Sequence, residues 1–184
     1  MRTGASGLPL LVKCLEIIRE HSDFESYLIM SSSAELTLRQ ETEMKPEDVK
    51  RLADHVCAPG EIGAKTGRVG SLQKQRGMLI VPCSMKTIAG IHSGYADNLI
   101  LRAADVTVKE QRTLVLAARE TPLSGIHLRN LYELSMLPGV RIIPPMLTFY
   151  HKPESIDDMV YHMAAKLLEP FGIEAKEYRR WNGL

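Results

Sequence analysis

Hydrophobic and polar positions divide the chain into short apolar runs and longer segments in which apolar residues recur every three or four positions. Residues 26–31, 77–84 and 112–119 are short and almost wholly apolar, and residues 140–145 begin with a similar run. Such runs predict buried strands, and those at 77–84 and 112–119 are apolar enough to be covered on both faces of a sheet.

The longer segments have the spacing of amphipathic helices. Leu8, Leu11, Leu15 and Ile18 form the first apolar stripe. The same spacing predicts helices within five further segments, namely 32–42, 45–56, 84–110, 124–137 and 155–172. In 45–56 the shared face is Val49, Leu52 and Val56, and in 155–172 it is Ile156, Met159, Val160, Met163 and Leu167. We expect Gly90 and Gly94 to divide the segment 84–110 into two helices.

Strands that alternate with helices predict an α/β fold, with a doubly wound parallel sheet and helices on both faces. We expect a single domain over residues 1–184, with a C-terminal tail from about residue 174. Ligands of such folds bind beyond the carboxyl ends of the strands. The segments that reach that edge are 4–7, 31–34, 83–87, 119–124 and 144–150.

Composition narrows the classes of partner. The 184 residues include 23 Lys and Arg against 22 Asp and Glu, so there is no broad basic surface for nucleic acid or an anionic membrane. Cys14, Cys57 and Cys83 lack the spacing of a zinc site or a disulfide framework. No apolar stretch reaches the roughly 18 residues of a membrane span, and no signal peptide is evident. We therefore expect a cytoplasmic protein without a metal site.

Small residues cluster at three of the predicted strand ends. The segments are GASG at 4–7, SSS at 31–33 and CSMKT at 83–87. Helix starts bind phosphate through their N–H groups, but serine and threonine are also common helix caps, and for each segment alone capping is the more ordinary explanation. Three such segments at one sheet edge favour a nucleotide or a flavin.

Charged side chains near these junctions suit a phosphate-bearing ligand. The cations are Arg102, Lys109, Arg119 and Lys166. Spacing also allows surface ion pairs of Asp105 with Arg102 and with Lys109. Glu120 directly follows Arg119 and is either a proton carrier or simply the partner of that arginine.

Two aromatic residues complete the candidates for the binding site, and two other side chains are excluded from it. Tyr150 follows two prolines and offers a phenol hydroxyl, with Met146 and Phe149 as an apolar wall, although an ordinary edge residue has the same pattern. Trp181 is the only tryptophan and lies in the C-terminal tail. We expect His127 and Cys83 to be structural.

The order and wording of these segments resemble the flavin prenyltransferases, which include ubiquinone-pathway enzymes and the subunit-B proteins of phenolic acid decarboxylases. The matching segments are GASG, MSSSA, PCSMKTIAGI, GYADNLILRAADVTVKE, LVLAARETPLS, HLRNLYEL, IIPPMLTFYHKPESIDD and RRWNGL. The resemblance implies a flavodoxin-like (Rossmann-like) subunit, commonly a homododecamer, that transfers the dimethylallyl group of dimethylallyl phosphate to reduced FMN. The prenylated FMN then serves a partner aromatic acid decarboxylase, and no metal is expected.

The resemblance also implies roles for individual residues. Ser6, near N5 of the flavin, and Glu120, as proton carrier, are the catalytic candidates. The residues implied for FMN are Gly4, Ala5, Ser6, Ser31, Ser84, Met85, Lys86, Thr87 and Arg119. Those implied for dimethylallyl phosphate are Tyr150, Lys166, Arg102, Lys109 and Trp181.

One feature departs from the family. Its members carry a full apolar strand ahead of the glycine turn, at the centre of the sheet, whereas here only Met1, Arg2 and Thr3 precede it. Either the chain as given starts late or that strand is reduced to a stub. Two other functions stay open: a non-catalytic subunit that binds and delivers FMN, and a flavin-dependent cysteine decarboxylase of the same fold superfamily, whose substrate-clamp segments are not evident.

Overall fold

Strands and helices alternate along the chain, as the apolar pattern predicts. The computed structural model describes residues 5–60 and 76–179. The strands are β1 (Tyr27–Ile29), β2 (His55–Cys57), β3 (Gly77–Cys83), β4 (Thr113–Ala118) and β5 (Val140–Ile142). The helices are α1 (Leu8–Arg19), α2 (Ser32–Glu41), α3 (Pro46–Lys50), α4 (Met85–His92), α5 (Leu99–Lys109), α6 (Gly125–Ser135) and α7 (Ile156–Leu168), followed by a 3-10 turn at Glu169–Phe171.

The strands form two parallel sheets. β1 pairs with β2, and β3, β4 and β5 pair in that order. β4 lies in the middle of the larger sheet, and five of its six residues are buried. Leu114 and Leu116 pack against α4, α5 and α6 on one face, whereas Val115 and Ala117 pack against α1 and α7 on the other. The apolar run at 112–119 is therefore explained by helices on both faces, as a doubly wound fold requires.

Helix α1 packs against both sheets. Leu8, Val12 and Leu15 lie in one core cluster with Leu28 and Met30, at and just after β1. Cys14 and Ile17 lie in another, with Val115 of β4. Strands β1 and β3 line the same cleft of about 1060 Å³. The cleft thus lies between the two sheets, with α1 along one of its walls.

The predicted helix at 45–56 is wrong beyond its first turns. Helix α3 ends at Lys50, and His55–Cys57 form β2. The Asp54 carboxylate accepts hydrogen bonds from the Ser26 N–H (2.7 Å) and hydroxyl (2.8 Å), and the His55 N–H donates to the Ser26 carbonyl (3.0 Å). These contacts hold the chain beside β1, so Val56 is an exposed strand residue and not part of a helical face.

The division of 84–110 into two helices is confirmed, but only one of the two glycines is responsible. Gly94 has a φ of +67° and lies just beyond the end of α4. Gly90 lies inside α4, where a Cβ would come within 2.9 Å of the Leu101 side chain. Its role is close packing between α4 and α5.

The predicted buried face of α7 is partly wrong. Leu167 is buried, but Ile156 is 81% exposed, and the other buried residues of the helix are His162, Ala164, Ala165 and Leu168. Ile156 occupies the first position of the helix and borders a shallow groove with Pro9 and Val12 of α1. Among the helices in residues 5–60 and 76–179, none has the length and apolar content needed to cross a membrane.

Candidate functional site

Two helices start at the mouth of the cleft. α2 follows β1 directly and α4 follows β3, so both start at the carboxyl ends of parallel strands. The Ser31 hydroxyl accepts a hydrogen bond from the Ala34 N–H (3.2 Å), and the Ser84 hydroxyl accepts one from the Thr87 N–H (3.3 Å). Each serine is thus a helix cap, the more ordinary of the two explanations. A helix start has four N–H groups without intrahelical acceptors, however, so capping one of them is compatible with anion binding at the others.

The start of α1 is held by a carboxylate that the sequence reasoning missed. Glu41, the last residue of α2, accepts from the Gly7 N–H (2.9 and 3.2 Å) and from the Leu8 N–H (2.8 Å). Gly7 permits this approach because its φ is +121°. No local pattern links positions 34 residues apart. With a carboxylate already at α1, the starts of α2 and α4 are the better sites for a ligand phosphate.

Most residues implied for FMN meet at the cleft. Its lining includes Ala5, Ser31, Ser84, Lys86 and Thr87. The Met85 side chain is 7% exposed and lies in the core cluster with Ile88, so only its backbone is available to a ligand. Ser6 is exposed in the bend before α1, and Gly4 lies outside the described residues.

Arg119 and Glu120 follow β4 at the same edge. The Arg119 N–H donates to the Cys83 carbonyl (3.0 Å), which brings Arg119 next to Ser84. A Glu120 carboxylate oxygen accepts from the Thr121 N–H (3.0 Å). Both residues are exposed. No ion pair between described residues joins Arg119 to Glu120, so this structure does not support the interpretation that the carboxylate serves only as the arginine's partner.

The other cations form surface ion pairs. Arg102 binds Asp105 (2.8 Å), as the spacing allowed, whereas Lys109 binds Glu110 (3.3 Å) and not Asp105. Lys166 binds Glu169 (2.5 Å). A helix that follows a parallel strand returns to the opposite edge of the sheet. The ends of α5 and α7 therefore place Lys109 and Lys166 at the amino edge, away from the cleft mouth of the same chain.

The loop after β5 carries an exposed aromatic surface. Met146 is 67%, Phe149 64% and Tyr150 77% exposed. The Lys152 N–H donates to the Phe149 carbonyl (3.0 Å) and closes a turn around Tyr150. The predicted apolar wall is therefore present but uncovered within one chain. Trp181 lies outside the described residues.

Stacked histidines attach this loop to α7. The His151 and His162 rings lie 3.6 Å apart at 5°, and the Arg179 N–H donates to Nε2 of His162 (3.3 Å). Burial, and then the neighbouring His162, lowers the pKa of His151. Asp158 lies close enough to complete a trio of potential metal ligands. An imidazole nitrogen lone pair lies in the plane of its ring, and one ion cannot lie in both of two parallel planes about 3.6 Å apart. We therefore assign no metal to this trio.

Cys83 and His127 are structural, as expected. Burial raises the pKa of the Cys83 thiol to about 12, so it stays protonated and is a poor nucleophile. The His127 ring accepts from the Ser124 N–H (3.3 Å), while the Ser124 hydroxyl accepts from the His127 N–H (3.2 Å). These two bonds cap the start of α6.

Comparisons with known proteins give consistent similarities. The sequence profile of the Flavoprotein family matches residues 1–168. The chain is 49% identical over 182 residues to a probable UbiX-like flavin prenyltransferase of Escherichia coli O157:H7, covering 99% of this chain and 91% of that protein. A dodecameric FMN-dependent UbiX-like decarboxylase from Escherichia coli O157:H7 matches in structure with a TM-score of 0.91 and 47% identity, over 98% of this chain and 96% of that one. AnUbiX (PadA1), solved in complex with FMN and dimethylallyl pyrophosphate, matches with a TM-score of 0.91 and 44% identity, over 98% and 94% of the two chains. Similarity therefore extends over nearly the whole chain.

Proposed function

The chain belongs to the flavoprotein family and, within it, to the UbiX-like flavin prenyltransferases, and we propose that it joins the dimethylallyl group of dimethylallyl phosphate to reduced FMN at the cleft mouth. The predicted resemblance and the doubly wound, flavodoxin-like fold are thereby confirmed. The observation that carries the site is the meeting of two serine-capped helix starts, α2 at Ser31 and α4 at Ser84, in one cleft.

FMN fits this arrangement. Its phosphate suits the helix starts and the exposed Lys86 and Arg119, because N–H groups, hydroxyls and cations all favour an anion. Bound there, FMN supplies N5 and C6 as the ring atoms that are alkylated. Ala5 and Ser6 would hold the ring, and the Ser6 hydroxyl would orient it near N5.

The remaining residues act on the prenyl donor. The donor's C–O bond breaks, phosphate leaves with the electron pair, and the dimethylallyl carbon forms its bond to the flavin. The Tyr150 hydroxyl stabilises the leaving phosphate, since charge develops on its oxygen. For ring closure, a proton adds to the alkene of the dimethylallyl group, its tertiary carbon bonds to C6 of the flavin, and C6 loses its own proton. Glu120 would carry protons in these two transfers. Met146 and Phe149 provide the apolar surface beside the dimethylallyl group.

Assembly completes the donor site. Lys109 and Lys166 lie at the amino edge, so they reach a donor phosphate only from another copy of the chain, and we include Arg102 and Trp181 in the same donor site. Assembly also covers an exposed apolar surface, and a relative of this chain is dodecameric. We call this the α6–loop surface, and it comprises Ile126, Leu128, Tyr132, Met136, Met146, Leu147 and Phe149. We propose a homo-oligomer, a dodecamer, whose prenylated FMN is passed to an aromatic acid decarboxylase.

The function is tested by the mass of the flavin after reaction. Purified chain is incubated without oxygen with FMN, dithionite and dimethylallyl phosphate, and in parallel with dimethylallyl pyrophosphate. We expect flavin heavier by one dimethylallyl unit, and inorganic phosphate released with the monophosphate donor. Unchanged flavin with both donors would contradict the proposal.

Glu120→Gln separates catalysis from mere delivery of flavin. We expect prenyl transfer to fall by about a hundredfold or more, because a general acid or base contributes on that scale, while FMN binding stays unchanged. A non-catalytic delivery subunit would instead keep its full effect on a decarboxylase. The control is Glu16→Gln, which alters an exposed carboxylate paired with Lys13 on α1.

A further inference from the structure

A buried histidine lies where three segments of the chain meet. His162, on α7, is 6% exposed. Its ring stacks on that of His151, which follows Tyr150 in the loop of residues 144–152, called here the Tyr150 loop. Its Nε2 accepts a hydrogen bond from the Arg179 N–H (3.3 Å), in the C-terminal segment. This one side chain of α7 therefore contacts both the Tyr150 loop and the C-terminal segment.

Both ring nitrogens of His162 have a partner. Nδ1 lies 3.1 Å from the carbonyl oxygen of Asp158 and 3.4 Å from its carboxylate, and both groups can only accept a hydrogen bond. The Arg179 N–H at Nε2 can only donate one, so the ring carries its proton on Nδ1 and is neutral. A phenylalanine would fill the same space and keep the stack on His151. Packing alone therefore does not explain a histidine at this position, whereas its two polar contacts do.

The C-terminal segment runs back along α7. Ile173 lies in one core cluster with Leu168, at the end of the helix. Further along the segment, the Arg179 guanidinium binds Asp158 in the first turns of the helix (3.4 Å). The segment therefore passes from the amino edge of the sheet towards the carboxyl edge, which is the edge that carries the Tyr150 loop.

The Tyr150 loop is exposed at its tip and buried at its base. Phe149 is 64% and Tyr150 77% exposed, whereas the Nε2 atom of His151 is buried and its ring lies against His162. Exposed turns open at low free energy unless buried contacts at their base hold them. The position of the Tyr150 hydroxyl therefore depends on the stacked rings.

We propose that His162 is a positioning residue of the donor site, which holds the Tyr150 loop and the C-terminal segment in one arrangement before dimethylallyl phosphate binds. The inference rests on the proposed function, because it takes the Tyr150 hydroxyl as a ligand of the donor phosphate. His162 acts through His151 on Tyr150, and through Arg179 on the segment that continues to Trp181. Loop order that exists before binding lowers the entropy cost of binding and so raises the affinity for the donor.

Two variants at position 162 each remove one of these contacts. His162→Phe keeps the stack but has no acceptor for the Arg179 N–H. His162→Gln has an amide oxygen in the place of Nε2, so it can keep that hydrogen bond while the stack is lost. We expect His162→Phe to speed amide exchange in residues 175–179 and His162→Gln to speed it in residues 144–152, measured by mass spectrometry on the full chain. Parent-like exchange of both segments in both variants would overturn the proposal.

Donor affinity is measured on the FMN-loaded protein. With oxidised FMN, prenyl transfer does not follow binding, so calorimetric titration with dimethylallyl phosphate gives the donor Kd alone. We expect this Kd, and the donor KM of the transfer reaction with reduced FMN, to rise about three- to tenfold in both variants, the scale of one lost contact. The Kd for FMN and the amide exchange of β4 should be unchanged. A merely structural role would lower the Tm and leave both donor constants at their parent values, and this result would overturn the proposal.

His21→Phe is the matched control. The His21 ring forms a hydrogen bond with the Glu174 carbonyl (2.9 Å), near the start of the same C-terminal segment and just after the end of α1. This substitution also removes a contact between a histidine and the backbone, but at the amino edge of the sheet, away from the Tyr150 loop. We expect a lower Tm and an unchanged donor Kd. An equal rise of the donor Kd in His21→Phe and His162→Phe would overturn the positioning role.

The outcomes separate this inference from the proposed function. Prenyl transfer with the parent's rate and donor KM in both His162 variants would overturn the positioning role and leave the proposed function in place. Absence of prenyl transfer in the parent chain, with donor binding that the two variants weaken, would count against the proposed function alone.

Discussion

Glu41 connects the end of one helix to the start of another. Its carboxylate accepts hydrogen bonds from the Gly7 and Leu8 N–H groups, at the segment that also carries Ala5 and Ser6. Hydrogen bonds to a charged acceptor stabilise more than neutral ones, and the charge also complements the positive end of the α1 dipole. Glu41 is therefore a positioning residue for the turn that we assign to the flavin ring.

Replacing Glu41 tests this role. Glu41→Ala should lower the free energy of unfolding by about 1–3 kcal/mol, because the start of α1 loses its acceptor. It should also weaken FMN binding. Urea denaturation and FMN titration measure the two effects, and the neighbouring exposed Glu43→Ala is the control, expected within about 0.5 kcal/mol of the parent. Equal losses of unfolding free energy and of FMN affinity in both variants would contradict the positioning role of Glu41.

His151 gives the loop that carries Tyr150 a dependence on pH. Its pKa lies below the ordinary value of 6.5, mainly because of burial, with His162 and Arg179 acting in the same direction and Asp158 opposing them. The unfolded chain consequently takes up the proton first as pH falls. The free energy of unfolding therefore decreases as pH drops through 6.5 and below.

The measurement is Tm between about pH 5 and pH 8. His151→Phe keeps an aromatic ring against His162 but cannot be protonated, and we expect it to flatten the decline of Tm on the acidic side. His21→Gln, at a half-buried histidine just after α1 whose ring contacts the Glu174 carbonyl and not His151, should leave the decline as it is. A decline that is equally steep in His151→Phe would show that another group controls it.

At the scale of elements, the sequence identifies long strands and helices better than short ones. The run that forms β4 is predicted closely because its residues are buried on both faces. β2 was missed because Val49, Leu52 and Val56 have helical spacing, while the contact that makes residues 55–57 a strand joins Asp54 to Ser26, 28 positions away. Local periodicity carries no information about such a contact.

The turn between α6 and β5 depends on a glycine. Gly139 has a φ of +81°, and a Cβ there would lie 2.5 Å from the Arg112 carbonyl oxygen. Gly139→Ala should therefore lower the free energy of unfolding by about 1–3 kcal/mol. Gly125→Ala, in the first turn of α6, meets no atom within 4 Å and should be neutral or stabilise by up to about 1 kcal/mol. Chemical denaturation of both variants checks the difference, and similar values would contradict the strained turn.

At the scale of the whole molecule, sequence resemblance identified the flavin and the reaction, but not the position of each cation. Lys109 and Lys166 were expected beside the strand junctions. They occupy the ends of α5 and α7, and a helix of 11 or 13 residues carries its last turn to the far side of the sheet. Contacts between copies join surfaces of different chains, and the sequence of one chain does not show which of its surfaces meet.

The α6–loop surface makes assembly testable. Tyr132, a residue of this surface, is 65% exposed, and Tyr132→Glu should shift the proposed dodecamer to smaller species by placing a charge in an apolar contact. Native mass spectrometry measures the shift, and Leu36→Glu on α2 is the control. We expect the smaller species to bind FMN but to lose prenyl transfer, because Lys109 and Lys166 then no longer reach the donor site of a neighbouring copy. Full activity in the dissociated protein would show that one chain suffices.

The bridging position of α1 also bears on how the protein unfolds. The unit made of β1, β2, α2 and α3 has fewer than about 40 residues, a size that rarely supports an independent core. Its stability depends on Leu8, Val12 and Leu15, which pack against it from α1. We therefore expect this unit to open at a lower free energy than the sheet of β3, β4 and β5 with its helices, as a separate cooperative unit of unfolding.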